Sequence, residues 1–161
     1  MNKPVKLYID TSVWNFALET DRQDSVLTNE FFQLVESENH VIVISDTVLV
    51  ETTNAHEPRK SHLQELIKLF KAEIIFSNQE AQNLADMYIR EKLIHEKHTD
   101  DALHIAIATA NRCNFIVSWN FKHIVRAKVI MGVHHINHRE GYGLIEIVSP
   151  NQFLGKRGLE S

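Results

Sequence analysis

Three acidic residues occupy positions from which their side chains could do chemistry together. Asp10 ends a first apolar run, Glu51 lies six residues beyond a second, and Asp101 opens a third apolar segment. Carboxylates gathered in one place repel one another unless a cation lies between them. Hard divalent cations such as Mg²⁺ prefer oxygen ligands and support chemistry at phosphate groups. The pattern therefore predicts a divalent-metal site with phosphate chemistry.

Each acid also has a simpler explanation. Asp10 could cap the helix that follows it, and the helix dipole could favour Glu51 near a helix start. Asp100 and Asp101 lie in a first helical turn, where acids are common. Asp101 precedes Ile105 by one turn and shares its packed face, so we assign Asp101 to the site and Asp100 to a solvated cap. Taken jointly, the three positions favour a shared site over separate caps.

The elements that must position these acids follow from the apolar pattern. We predict strands at 6–10, 41–45, 73–76, 115–118 and 144–148. We predict helices at 12–18, 25–36, 78–93, 99–111 and 120–125, one from residue 46 or 47, and one beginning near Pro58. Continuous apolar strands with long connections indicate parallel pairing. This predicts an α/β fold, a three-layer α/β/α sandwich with a mostly parallel, about five-stranded sheet, whose ligand site lies at the carboxyl ends of its strands.

Composition favours one ordinary globular domain. The chain has 161 residues, of which 43% are hydrophobic and 24% charged. We expect a single domain at 1–153 and a polar tail at 154–161. The one cysteine, Cys113, excludes an intramolecular disulfide and a structural cysteine–zinc site. No secretory signal pattern and no apolar stretch of about 20 residues is visible, so we expect a cytoplasmic protein without membrane contact.

Charge is distributed unevenly. The whole chain carries −4, yet residues 121–161 carry +3, with six Lys or Arg against three acids. The first 120 residues therefore carry −7. An acidic body with a basic flank suits an enzyme that binds a cation at one place and a polyanion beside it.

Four short motifs together resemble the PIN-domain family, including its VapC-type toxins. They are Tyr8-Ile9-Asp10-Thr11-Ser12, the segment 45–51 (SDTVLVE), the segment 101–110 (DALHIAIATA) and the segment 115–123 (FIVSWNFKH). The resemblance covers residues 5–150. It implies an α/β/α sandwich and a Mg²⁺- or Mn²⁺-dependent ribonuclease. It also implies RNA as substrate, a small antitoxin protein as partner in a toxin–antitoxin pair, and a homodimer.

The resemblance also implies roles for individual residues. Asp10, Glu51 and Asp101 match the three core acids and would be the metal ligands. Asn120 matches a polar residue at the end of the fourth strand. Many relatives have a further Asp three residues later, where this chain has His123. His123 would replace that acid as a ligand or stabilise charge on the leaving side, and these five residues form the predicted catalytic set.

Further residues are predicted to contact the substrate beside this set. Thr11 matches a small hydroxyl residue next to the first acid. The predicted substrate contacts are Thr11, Ser118, Lys122 and Arg126. Trp14 and Trp119 border the predicted cleft, where they could stack on unpaired bases or be buried in the core.

Histidines elsewhere need no functional explanation. His104 lies in an apolar helix and is expected to be a satisfied core histidine. His134 and His138 have a spacing that could bind zinc if helical, but without cysteine nearby we favour surface histidines.

Two alternatives to a ribonuclease remain open. A degenerate PIN module could bind RNA or a partner protein without cleavage, and His123 favours this alternative. An aspartyl-phosphate phosphatase normally has a second Asp two residues after its nucleophile. Ser12 stands there, which disfavours that chemistry.

Overall fold

A computed structural model describes residues 3–157 and contains one five-stranded, fully parallel sheet. Its strands are β1 (Lys6–Ile9), β2 (Val41–Ser45), β3 (Glu73–Ile75), β4 (Phe115–Val117) and β5 (Glu146–Val148). Their spatial order is β3-β2-β1-β4-β5. The order reverses direction at β1, and such a switch point is where ligands bind in open α/β sheets.

Helices connect the strands. They are α1 (Thr11–Leu18), α2 (Gln23–Ser37), α3 (Asp46–Thr53), α4 (Arg59–Leu69), α5 (Gln79–Arg90), α6 (Thr99–Ala110), α7 (Ala127–Arg139) and α8 (Pro150–Arg157). A short 3₁₀ turn, Glu96–His98, precedes α6. The predicted α/β sandwich with a parallel sheet is confirmed.

Alternate residues of the central strand face two helical layers. Leu7 lies in register with Phe115, whose ring packs against Phe153 of α8 with centroids 5.1 Å apart. Tyr8 points to the opposite face, where its ring meets His104 of α6 at 5.7 Å. Burial on both faces explains why the last three residues of β1, Leu7, Tyr8 and Ile9, are apolar or aromatic.

The short helix predicted at 120–125 is wrong. The structure has a series of turns there. The side-chain oxygen of Asn120 accepts hydrogen bonds from the backbone N–H groups of Lys122 and His123, which bends the chain instead of extending a helix. The sequence pattern also missed α7, although its buried residues Val129, Val133 and Ile136 are spaced as one helical face requires.

The polar tail predicted from residue 154 begins later in the structure. Helix α8 continues to Arg157, and Leu154 is only 8% exposed because α8 packs against α2. Residues 158–161 of that predicted tail lie outside the described residues. Within residues 3–157, no helix has the length and apolar character needed to cross a membrane.

A buried polar network joins α7 to its neighbours. The Tyr88 hydroxyl of α5 donates to Asn137 Oδ1 at 2.5 Å, and Asn137 Nδ2 donates to Thr109 Oγ1 of α6 at 3.2 Å. Asn137 is 3% exposed, so water cannot readily replace a lost partner. The network therefore fixes the position of α7 on the α5–α6 pair.

Tyr88→Phe should destabilise the protein because it leaves Asn137 Oδ1 buried without its donor. The expected loss in the free energy of unfolding is about 1–3 kcal/mol, measured by urea denaturation. Tyr142→Phe is the matched control, because the Tyr142 hydroxyl donates to Glu80 at an exposed position. Equal stability of the two variants would contradict the assigned role of the network.

Candidate metal centre

Asp10 lies buried at the carboxyl end of β1. Its backbone N–H donates to the Val117 carbonyl of β4 at 3.2 Å. Its side chain accepts from the Ser12 hydroxyl at 2.5 Å, the Ser118 hydroxyl at 2.5 Å and the Val13 N–H at 3.4 Å. Asp10 is thus the cap of α1, as the simpler explanation proposed, and it is also held at the centre of the sheet edge.

Glu51 is held by a chain of hydrogen bonds that reaches into the sheet. Its Oε1 accepts from Thr11 Oγ1 at 2.6 Å and bonds His104 Nε2 at 2.9 Å. The other ring nitrogen, Nδ1, bonds the Tyr8 hydroxyl at 2.6 Å, and that hydroxyl bonds Ser45 Oγ at 2.6 Å. His104 is the satisfied buried histidine that its sequence context predicts, but its partner is a carboxylate of the candidate site.

The charges of this pair are complementary. Burial opposes ionisation of Glu51, but the hydrogen bond and charge of His104 outweigh it and hold the pKa of Glu51 below its ordinary value. Burial also opposes protonation of His104, yet the hydrogen bond and charge of Glu51, with the charges of Asp10 and Asp101, raise the His104 pKa. Both shifts favour a carboxylate paired with an imidazolium.

Asp101 stands one helical turn before His104 on α6. Its Oδ1 accepts from Asn120 Nδ2 at 3.2 Å. Because the Asn120 side-chain oxygen binds the turn that follows, this amide joins the start of α6 to the segment after β4. Asn120 therefore positions Asp101 relative to His123.

Two of the three carboxylates resist ionisation in the described structure. Burial raises the pKa of Asp10 and of Asp101, even though the nearby His104 opposes both shifts. The negative charge of Glu51 adds to the rise for Asp101. A divalent cation among these groups would offset both the burial and the repulsion, so the donor set fits a cation.

A tight group of metal-ligating side chains lies on one flank of the site. Ligand atoms of His98, Asp101 and His123 all lie within 4.8 Å of one another. The two imidazole rings are stacked, with centroids 3.7 Å apart and planes inclined by 24°. Near-parallel rings cannot both direct a lone pair at one ion, so shared binding requires one ring to turn. Among residues 3–157, the carboxylates of Asp10, Glu51 and Asp101 do not form a group this tight.

A small acidic cavity connects these elements. Its volume is about 310 Å³, and Glu51 and Asp101 line it together with Asp100, Lys97 and His98. Mg²⁺ keeps several waters and binds only one or two carboxylates directly. A cavity lined by three carboxylates and with room for water suits such an ion.

The predicted substrate contacts lie in different places. Ser118 has no exposed surface, so its hydroxyl positions Asp10 and does not reach a substrate, contrary to its predicted role. Thr11 donates to Glu51. Lys122 and Arg126 line a second cavity beside the acidic one.

The structure also shows where the two tryptophans and the histidines of α7 lie. Trp14 donates to the Ile9 carbonyl, and Trp119 donates to Thr28 Oγ1, so both are buried core residues. His134 Nε2 bonds the Ile145 carbonyl at 2.9 Å. His135 and His138 of α7 are exposed.

Sequence reasoning missed two participants. His104 was identified as buried, but its bond to Glu51 joins residues 53 positions apart, and no local pattern shows it. His98 was not singled out, although it precedes Asp101 by three residues and so lies near it at the start of α6. That spacing was an available signal.

Comparison with known families agrees with this geometry. The model of the PIN domain family matches residues 7–126. This chain belongs to the PIN domain family. A comparison with curated proteins gives no match.

Solved structures of similar fold include VapC proteins. VapC20 of Mycobacterium tuberculosis, described as a Sarcin-Ricin loop cleaving toxin, has a TM-score of 0.54 and 14% identity, over 73% of this chain and 92% of that one. VapBC2 of Rickettsia felis, bound to a promoter DNA fragment, has a TM-score of 0.59 and 15% identity, over 89% of this chain and 98% of that one. DNA-bound VapBC of Salmonella typhimurium has a TM-score of 0.53 and 17% identity, over 91% of this chain and 98% of that one. These similarities establish the fold.

His104→Gln should raise the pKa of Glu51, because it removes the positive charge that holds this pKa down while burial remains. The measurement is a pH titration of glutamate carboxyl carbons by NMR in EDTA. Glu57, which is exposed, serves as the control in the same spectra. An unchanged Glu51 pKa would show that the pair carries no charge.

Mn²⁺ should raise the melting temperature, since an ion that binds only the folded state stabilises it by about 2.7 kcal/mol at one hundred times Kd. Asp101→Asn should reduce this rise, measured by differential scanning fluorimetry. Asp86→Asn, an exposed change on α5, should leave it intact. A full rise in the Asp101 variant would remove that carboxylate from the site.

Proposed function

We propose that this protein is a Mg²⁺- or Mn²⁺-dependent endoribonuclease that hydrolyses RNA phosphodiester bonds. One observation carries the proposal. Asp10, Glu51 and Asp101 come from separate parts of the chain, yet hydrogen bonds connect their surroundings. Thr11, next to Asp10, donates to Glu51, and Glu51 bonds His104, which lies one turn after Asp101 on α6. Carboxylates linked in this way suit a common cation.

The chain's own residues would divide the work. Asp10, Glu51 and Asp101 would hold the ion, with water completing its shell. When bound, the ion would supply Lewis-acid polarisation of a phosphoryl oxygen and a more acidic water. Glu51, kept ionised by His104, is suited to accept a proton from an attacking water. Asn120 would orient Asp101.

His123 replaces the usual fourth acid and would act in one of two ways. As a neutral imidazole it could bind an ion jointly with Asp101 and His98. As a cation it could stabilise charge on the leaving oxygen. In support of either role, His123 lines the second cavity and Asp101 lines the acidic one, and Lys97 and His98 line both.

The partners proposed for this protein follow from its relatives. Two of the matched structures are VapBC proteins, and a third is described as a loop-cleaving toxin. We therefore propose a toxin of a toxin–antitoxin pair, with RNA as substrate, a small antitoxin as inhibitor and a homodimer as its assembly. A cytoplasmic location belongs to the same proposal.

A second candidate is a PIN module that binds RNA or a protein without cleavage. The stacked His98 and His123 favour it, because their rings occupy the side of Asp101 where many relatives have a fourth carboxylate. The pairing of Glu51 with His104 is its difficulty, since a binding module has no need to hold this carboxylate ionised.

Cleavage assays separate the two candidates. The purified protein should cut structured RNA with Mn²⁺ and not with EDTA. Asp10→Asn and Asp101→Asn should each reduce the rate by at least about 100-fold, because each removes a charge that holds the cation. Asp86→Asn, which removes one acid outside the site, is the control and should cleave like the unmodified protein. Circular dichroism verifies that each variant is folded.

Full activity in either site variant would contradict the carboxylate mechanism. RNA binding without cleavage by the unmodified protein, under any divalent ion, would establish the second candidate.

A further inference from the structure

A second cavity lies directly beside the acidic one. Its volume is about 700 Å³, and it is enclosed by the segment 89–98 on one side and the segment 122–129 on the other. The two cavities share Lys97 and His98. A ligand lying in one can therefore extend into the other past these two residues.

The second cavity is strongly basic. Its cationic lining residues are Lys92, Lys97, Lys122, Arg126 and Lys128. Three histidines also line it, and Glu96 is the one acid among its lining residues. The protein as a whole carries −4, so this concentration of positive charge is opposite in sign to the molecule around it. We call it the basic pocket.

These cations have no carboxylate partners among the described residues. Other arginines do: Arg59 pairs with Glu19, and Arg139 pairs with Glu91. Within residues 3–157, none of the five pocket cations lies within 4.0 Å of an acidic oxygen. Arg126 instead donates to the Lys122 carbonyl at 3.2 Å, which holds its guanidinium beside the pocket. Unpaired cations gathered in a concave site favour an anionic ligand.

The pocket walls approach each other through a glycine. A Cβ at Gly132 of α7 would lie 2.1 Å from a methyl carbon of Leu93, so only glycine allows this contact as it stands. Leu93 lines the pocket, and so does Lys128 of the first turn of α7. That first turn holds no acid and no side-chain cap, so no side chain there offsets the partial positive charge of the helix N-terminus.

We propose that the basic pocket binds the phosphates of the RNA strand next to the bond that is cut. This inference rests on the proposed function and names how its substrate is held. A polyanion is repelled by the acidic cavity, so it needs compensating positive charge close by. Lys97 places that charge at the border of the two cavities. The strand would then run from the metal centre into the basic pocket.

The contacts would be made to the backbone and would carry little sequence information. Lysine and arginine contacts to phosphate position a strand, while base contacts specify it. The residues that line the pocket include no exposed tryptophan or tyrosine that could stack on bases. The proposal therefore assigns affinity and register to the pocket and leaves target choice to other surfaces.

Salt dependence of RNA binding tests this proposal without cleavage. Binding of a fluorescent single-stranded RNA 10-mer is measured in EDTA by anisotropy between 50 and 200 mM salt. The double variant Lys92→Gln/Lys128→Gln removes one cation from each wall. Each lost phosphate contact on a single strand lowers the salt slope by about 0.7, so the expected fall is about 1.4 with several-fold weaker binding.

A matched control removes two exposed lysines outside the pocket, Lys68→Gln/Lys156→Gln, and should bind like the unmodified protein. In a second experiment, inorganic phosphate and a mononucleotide are added as competitors of the labelled RNA. They should displace the RNA only weakly if the pocket binds several phosphates of one strand. Strong competition by either would assign the pocket to a small phosphate ligand and overturn the proposal. Loss of poly-glutamate binding in the pocket variant with unchanged RNA binding would assign it to an acidic protein segment.

The outcome is separable from that of the proposed function. Equal salt slopes for the pocket and control variants would overturn the pocket proposal even if the protein cleaves RNA. A lowered slope in a protein that never cleaves would keep the pocket and overturn the nuclease.

Discussion

Asp10 places a carboxylate inside the protein at the carboxyl end of the central strand, where only 4% of its surface is exposed. A buried charge of this kind is costly unless hydrogen bonds or opposite charge compensate it. Two serine hydroxyls and one backbone N–H do so here, and each comes from a segment that adjoins β1 or β4. The segments at this sheet edge are therefore arranged to supply the hydrogen bonds that the Asp10 carboxyl needs. The charges of the neighbouring acids add to those that must be compensated there.

His104 resolves the conflict that this crowding creates. Its imidazole is 2% exposed and stands between Glu51 and the Tyr8 hydroxyl, so it contributes positive charge directly beside Glu51. The same residue links the sheet, through Tyr8, to the helices that carry Glu51 and Asp101. Acidic and basic groups are then separated in space. Glu51 and Asp101 line the small cavity, while the larger one beside it is lined by lysines and an arginine that have no carboxylate partner within residues 3–157.

The sequence predicts the strands well, because buried strands depend on local pattern. Apolar runs such as 41–45 indicate buried strands, and polar residues at their ends fall at one edge of a parallel sheet. The bond between His104 and Glu51 could not be predicted, since it depends on how α3 and α6 pack. The turn after Asn120 was mistaken for a helix because its side-chain-to-backbone bonds are invisible in apolar periodicity. The charge bias of residues 121–161 indicated one wall of the basic pocket, while the wall from 89–98 appears only in the folded chain.

The contact between Gly132 and Leu93 sets the separation of that pocket's walls by the lack of a single methyl group. Neither residue carries charge, and neither belongs to the candidate metal centre. A larger residue at position 132 would displace the leucine and widen or close the channel while every ionisable group kept its identity. The dimensions of the basic pocket can thus change independently of the candidate metal centre, through a position that a search for charged or reactive residues would pass over.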